Sequence, residues 1–141
     1  MSNDFEQISL KPGFMKYNGG VLFKTISQDE YHFKTTIKEN HLNAAGITHG
    51  GFIAAFVDAG AGTAAHRSAE SNPCVTVSLE LKFISTVRLG QELIGKTKIQ
   101  KKTKSMVFLT CELTAEDKIV ATASGVWKIL NKKLPGTGPG G

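Results

Sequence analysis

The sequence predicts an α+β fold, a curled antiparallel β-sheet wrapped around one long central helix, and three features carry that expectation. Six segments alternate apolar and polar residues with the period of two that marks half-buried strands, two ahead of residue 40 and four after residue 74. Between them, residues 52–67 are apolar nearly all round, so this helix should be central and buried, and the sheet should curl about it. The chain has 141 residues, 40% apolar and 21% charged, which suits one globular core, and no internal repeat marks a second unit.

In chain order, residues 1–19 read as an N-terminal leader with one short turn of helix between Phe5 and Leu10. The folded domain is expected over residues 20–131. Residues 21–26 and 31–38 are its first two strands, separated by Gln28-Asp29-Glu30, with His32 a surface or packing residue of the second. In the helix, Gly60 and Gly62 cost about 1 kcal/mol each relative to alanine, so close approach of another backbone should compensate. His66 falls in the last turn, where a cation suits the helix dipole. Residues 75–84 follow, with Val75, Val77, Leu79, Leu81 and Phe83 on one face and Thr76, Ser78, Glu80 and Lys82 on the other. Residues 92–101 and 105–114 form a hairpin, and 118–130 complete what reads as a four-strand meander. The glycine- and proline-rich tail, 132–141, has no means of packing and is expected to be disordered.

Several functions are disfavoured by composition. No run approaches the roughly 18 apolar residues that a membrane helix needs, and the polar first 20 residues carry no visible signal peptide, so a cytoplasmic location without a membrane partner is the default. Cys74 and Cys111 are far apart with no metal-ligand spacing, so no metal site is expected, and Cys111 reads as a small buried hydrophobe. The net charge of +5 is concentrated at Lys96, Lys98, Lys101, Lys102 and Lys104. Without interleaved aromatics this cluster does not suggest nucleic acid; it reads as a solvated hairpin end, with attraction to a phosphorylated ligand second.

The chemistry concentrates in Asn43-Ala44-Ala45-Gly46-Ile47-Thr48-His49-Gly50-Gly51 and in Asp58 beyond it. A glycine-rich turn opening a helix presents backbone N–H groups without intrahelical partners, suited to a developing negative charge. A lone carboxylate among Phe56, Val57 and Ala59 is costly to bury unless something needs it there. Together they suggest an oxyanion-stabilising site with an acid or base beside it.

This pattern, Asn43…Gly46…His49-Gly50-Gly51…Asp58 at the start and in the body of a central helix, resembles the hotdog-fold acyl-CoA thioesterases. Within them it is similar to the phenylacetate-degradation (PaaI) and thioesterase-superfamily-member branch, over residues 20 to 130. The resemblance implies that the Gly50 N–H meets the thioester carbonyl and that Asn43 orients the site or the attacking water. It makes Asp58 a general base or nucleophile and assigns the water-holding hydroxyl to Thr76, where the branch often has serine. His49 belongs to the same turn, where it either takes part directly or fixes the loop. Gly51 and Arg88 are the expected substrate contacts, Arg88 toward the phosphates of CoA, which is part of the substrate and leaves no separate cofactor.

Eight positions separate Gly50 from Asp58, roughly 12 Å along one helix axis and about 80° around it. One carbonyl cannot readily meet both. A homodimer is therefore expected, with Asn43 and Gly50 of one subunit facing Asp58 and Thr76 of the other, and a dimer of dimers as the larger assembly. Two rival readings are a hotdog-fold enoyl-CoA hydratase or dehydratase, which would rest on a catalytic histidine paired with an acid, and a non-catalytic acyl-CoA-binding module, which could dispense with Asp58.

Overall fold

The computed structural model describes residues 4–131. Its elements are β1 (Glu6–Gln7), α1 (Phe14–Tyr17), β2 (Leu22–Thr25), β3 (Glu30–Thr36), a 3-10 turn (Glu39–His41), α2 (Gly50–Ser68), β4 (Cys74–Phe83), β5 (Glu92–Lys102), β6 (Met106–Ala115) and β7 (Lys118–Ile129). From residue 20 onward the alternation of the sequence located every strand to within two residues. The expected tail, 132–141, lies outside the described residues.

Seven antiparallel strands form one sheet in the order β1-β2-β3-β5-β6-β7-β4, packed against α2. The four strands after the helix are therefore not one meander. β5, β6 and β7 are, but β4 turns back along α2 and takes the edge beyond β7. The segment between β4 and β5 crosses the end of the sheet instead of closing a hairpin. It is tied there by bonds from the Thr48 N–H (3.1 Å) and hydroxyl (2.6 Å) to the Val87 carbonyl, and from the Gly90 N–H to the Ile37 carbonyl (2.9 Å).

The N-terminal segment also differs from the expectation. The helical turn sought between Phe5 and Leu10 is the strand β1, held because Gln7 Oε1 accepts the Ser9 and Val21 N–H groups; the helical turn comes later, as α1. Ile8 and Met15 are buried in the same core as α2, so this segment packs as part of the domain.

Fully buried Phe23, Phe33, Phe56, Leu93, Leu113 and Trp127 fill the space between helix and sheet. The compensation for the helix glycines is aromatic, not backbone. The Phe33 ring lies where a Gly60 side chain would be, 2.1 Å from an ideal Cβ, and the Trp127 indole nitrogen lies 3.3 Å from one at Gly62.

Two departures from the simple pattern shape the site. First, α2 is not enclosed all round: Gly51 and Asp58 are exposed, and Ala54, Ala55, Gly62 and His66 are half-buried, an open stripe along one side. Second, β4 carries a bulge between Thr76 and Ser78. Thr76 lies opposite inward-facing Trp127, and Leu79 opposite Gly125, so Thr76 shares the helix-facing side with Leu79 and Leu81. Strict alternation had put it on the other face. The outer edge of β4 has no strand partner among the described residues, and Val77, Phe83 and Ile84 are exposed along it (56–57%).

Candidate functional site

The loop before α2 is built so that its polar groups serve the backbone and leave selected donors over. Asn43 Oδ1 accepts the Ala45 (2.9 Å) and Ile47 (3.3 Å) N–H groups, which fixes the side-chain amide orientation and leaves Nδ2 without a partner among the described residues. Gly46 has a φ of +81°, the left-handed region that lets the chain turn back toward the helix. His49 caps α2: its Nδ1 accepts the Gly51 N–H at 2.8 Å, and its own N–H donates to the His41 carbonyl at 2.8 Å. An accepting Nδ1 puts the ring proton of neutral His49 on Nε2.

This arrangement separates the two glycines. The Gly51 N–H is committed to the His49 ring, so Gly51, expected as a substrate contact, has no backbone donor left to offer a ligand. The Gly50 N–H has no acceptor among the described residues and remains available. The ring of Phe83, at the far end of β4, lies over Gly50, 3.5 Å from where a Cβ would stand.

Asp58 sits two turns further along α2. Contrary to the expectation of a buried carboxylate, it is exposed in the single chain, because it faces outward from the open stripe of the helix. Thr76 donates its hydroxyl to Asp58 Oδ1 at 2.8 Å, and the bulge in β4 is what turns Thr76 toward the helix. The pair stands at the mouth of a cleft of about 110 Å³ whose walls include Gly62, His66, Cys74 and Trp127. His66 Nδ1 lies 2.8 Å from the Asn72 carbonyl.

Of the residues singled out by sequence, the single chain therefore brings together Asp58 with Thr76, and Asn43, His49, Gly50 and Gly51 with each other. It does not bring the first pair to the second group. Arg88 is exposed, next to the Val87 carbonyl that holds Thr48, and so lies at the Gly50 end of the helix. The lysine cluster divides. Lys96 and Lys98 stand on the outer face of the sheet with Glu30 and Glu112, and Lys102 Nζ donates to the Ser68 carbonyl at the opposite end of α2 (2.7 Å). Both thiols are unsuited to nucleophilic work, since burial pushes Cys74 and Cys111 up to about 11. Trp127, His66 and Phe83 were not read as site residues; only His66, eight positions after Asp58 on the same helix face, left a periodicity that could have found it.

A family model for the thioesterase superfamily matches residues 45–122, more than half of the chain. Among curated proteins, one of Pseudomonas aeruginosa named as an esterase is 37% identical over 94 residues, covering 66% of this chain and 70% of that one. Acyl-coenzyme A thioesterase 13 of Mus musculus is 26% identical over 103 residues, covering 73% and 74%. Among solved structures, zebra fish thioesterase superfamily member 2 superposes with a TM-score of 0.78 at 22% identity, over 86% of this chain and 90% of that one. A mutant of the phenylacetic acid degradation protein PaaI of Thermus thermophilus superposes with a TM-score of 0.74 at 22% identity, over 83% and 98%.

Proposed function

The chain belongs to the thioesterase superfamily and has its hotdog fold, and from that premise we propose that it hydrolyses acyl-CoA thioesters in the cytoplasm, at sites shared between two copies of itself. The observation that carries the reading is the division of the site between the two ends of one edge strand. Thr76, near the start of β4, holds Asp58, while Phe83, at its end, packs its ring beside Gly50, whose N–H has no acceptor among the described residues. Antiparallel pairing of β4 with β4 of a second copy exchanges the ends. Asp58 and Thr76 of one protomer then approach Asn43 and Gly50 of its partner, twice over, about one two-fold axis.

In that assembly the chemistry is ordinary acyl transfer to water. The Gly50 N–H donates to the thioester carbonyl oxygen and stabilises the charge that develops on it; one such donor contributes about 10²–10³ in rate. Asp58 takes the proton from a water as its oxygen attacks the carbonyl carbon, general-base help of about 10²–10⁴. The Thr76 hydroxyl fixes Oδ1 and leaves Oδ2 for the water. Collapse of the tetrahedral intermediate breaks the carbon–sulfur bond, and the departing CoA thiolate takes up the proton that Asp58 received from the water, which returns Asp58 to its carboxylate form. Asn43 Nδ2 is a free donor for the carbonyl or the water, and His49 acts by holding the turn. Arg88, at the same end of the helix as Gly50, is the cation for the CoA phosphates. No cofactor enters apart from the CoA of the substrate. A dimer completes the chemistry, and a dimer of dimers is the larger assembly proposed.

The test mixes chains. Asn43→Ala and Asp58→Ala proteins are each assayed alone for CoA release from a panel of aryl- and fatty-acyl-CoAs, then after joint refolding, with Asp58→Asn as a further control. Shared sites predict two nearly inactive parents and recovery to about a quarter of wild-type activity, since half of the dimers formed are mixed and each holds one intact site of two. No recovery in a population shown to contain mixed dimers sinks the shared site.

A further inference from the structure

The cleft beside Asp58 contains a donor with no hydrogen-bond partner among the described residues. Trp127 is 1% exposed, packed between β6 and β4, yet it forms part of the cleft wall. Its Nε1–H has no hydrogen-bond partner among the described residues, and it stands directly over Gly62, 3.3 Å from where a Cβ would be. The nitrogen reaches the cleft surface, so in the free protein it is left to water, and an acceptor on a bound ligand would take that water's place. Only glycine at position 62 keeps the approach to this nitrogen open; any side chain there would fill it. His66 also lines the cleft, with its Nδ1 donating to the Asn72 carbonyl.

Resting on the thioesterase reading above, we propose that this cleft is the acyl subsite and that Trp127 is a specificity-determining residue. Its N–H donates to an oxygen carried by the acyl group, so that ether, carbonyl or hydroxyl oxygens are selected over plain hydrocarbon. Gly62 is one turn beyond Asp58, about 6 Å along the helix, which sets the acceptor roughly four bonds from the thioester carbonyl. The cleft, about 110 Å³, is smaller than the roughly 150 Å³ that encloses a benzene ring. It suits a short chain. A hydrocarbon chain can enter, but it leaves the indole N–H unpaired and the polar wall unsolvated.

The test uses hexanoyl-CoA and the same chain with an ether oxygen replacing each methylene in turn. Wild-type kcat/KM should peak for one oxygen position, about fivefold or more above hexanoyl-CoA, the factor expected of one neutral hydrogen bond. Trp127→Phe, which keeps an aromatic ring and removes the donor, should erase that preference, read as the ratio of kcat/KM between the ether and hexanoyl thioesters within the same protein. Gly62→Ala, placing a methyl against the nitrogen, should erase it without emptying the core. Trp127 is also the only tryptophan in the chain, so its fluorescence reports the subsite without turnover. Titrating the Asp58→Asn protein with the same thioesters should shift the emission most for the preferred oxygen position. Equal rates and equal shifts across the series overturn the proposal while leaving thioester hydrolysis standing. Binding that is selective by fluorescence in a wild-type protein that hydrolyses no thioester would keep the subsite and refute the catalytic reading instead.

Discussion

Replacing Gly60 with alanine sets two physical effects against each other with opposite signs. On helix propensity alone the change should stabilise the protein by about 1 kcal/mol. The structure reverses that. An ideal Cβ at Gly60 would lie 2.1 to 2.3 Å from three atoms of the Phe33 ring, far inside the 3.5–4.0 Å of a normal carbon contact. The ring cannot step aside, because a Cβ at Gly95 on its other side would be only 2.5 Å from Phe33 Cζ, and Phe56 packs at a centroid distance of 4.9 Å. Overpacking a core costs 1–3 kcal/mol, and with both sides of the ring confined the upper end applies. The net expectation is a loss of about 2 kcal/mol, a fall in Tm of roughly 6–8 °C for a chain of this length. Calorimetry at fixed protein concentration measures it, since assembly would make Tm concentration-dependent. Pairing Gly60→Ala with Phe33→Leu should recover at least 1 kcal/mol relative to the sum of the single changes. A higher Tm for Gly60→Ala alone refutes the packing described for this helix.

Gly50→Ala should leave Tm nearly unchanged, because its Cβ would meet the Phe83 ring at an ordinary 3.5 Å. CoA release should still fall by about 10²-fold if a methyl beside the amide keeps the carbonyl away. Thr76→Val keeps the shape and removes the hydroxyl that Asp58 Oδ1 accepts, so kcat/KM should drop about five- to tenfold, with Thr76→Ser restoring most of it. Cys111 is buried with its thiol pushed up from 9.0 to about 11. Between those values the unfolded chain has lost a proton that the folded chain keeps, so stability falls as pH rises. The loss from this group approaches 2–3 kcal/mol by pH 11, and a urea-midpoint series should become shallower over that window in Cys111→Ala, with the remaining slope carried in part by Cys74.

Much of this architecture is readable without coordinates because it rests on periodicity. The alternation of residues 106–115 and the nearly unbroken apolar character of 52–67 can each satisfy only one kind of element. The catalytic candidates were legible for a different reason. Asn43, Gly50 and Asp58 are polar or conformationally permissive residues where a bland fold would have no use for them. What escaped is non-local or depends on a single inserted residue. No local signal says that β4 crosses to the edge beyond β7, since strand order is decided by how the sheet closes around α2. Nothing in Val75-Thr76-Val77-Ser78 announces a bulge, yet the bulge decides whether Thr76 or Val77 faces the helix. Trp127 reads as a core aromatic by every sequence criterion, and it is one; only the space above Gly62 reveals that its nitrogen is unspent.

The edge strand β4 joins these observations. Without the bulge, Val77 would stand opposite Trp127 and present an isopropyl group to Asp58, leaving the carboxylate without the donor that orients it. With it, the hydroxyl faces the helix, and Val77 is left exposed beside the unpaired edge with Phe83 and Ile84. A ten-residue strand with a free edge and apolar side chains along it is a surface that soluble proteins ordinarily cover. The distortion that completes half of the site thus also exposes apolar surface where a second copy would supply the other half. Changes between Thr76 and Ile84 should accordingly disturb assembly and activity together, whereas changes at Asn43 or Asp58 should remove activity and leave assembly in place.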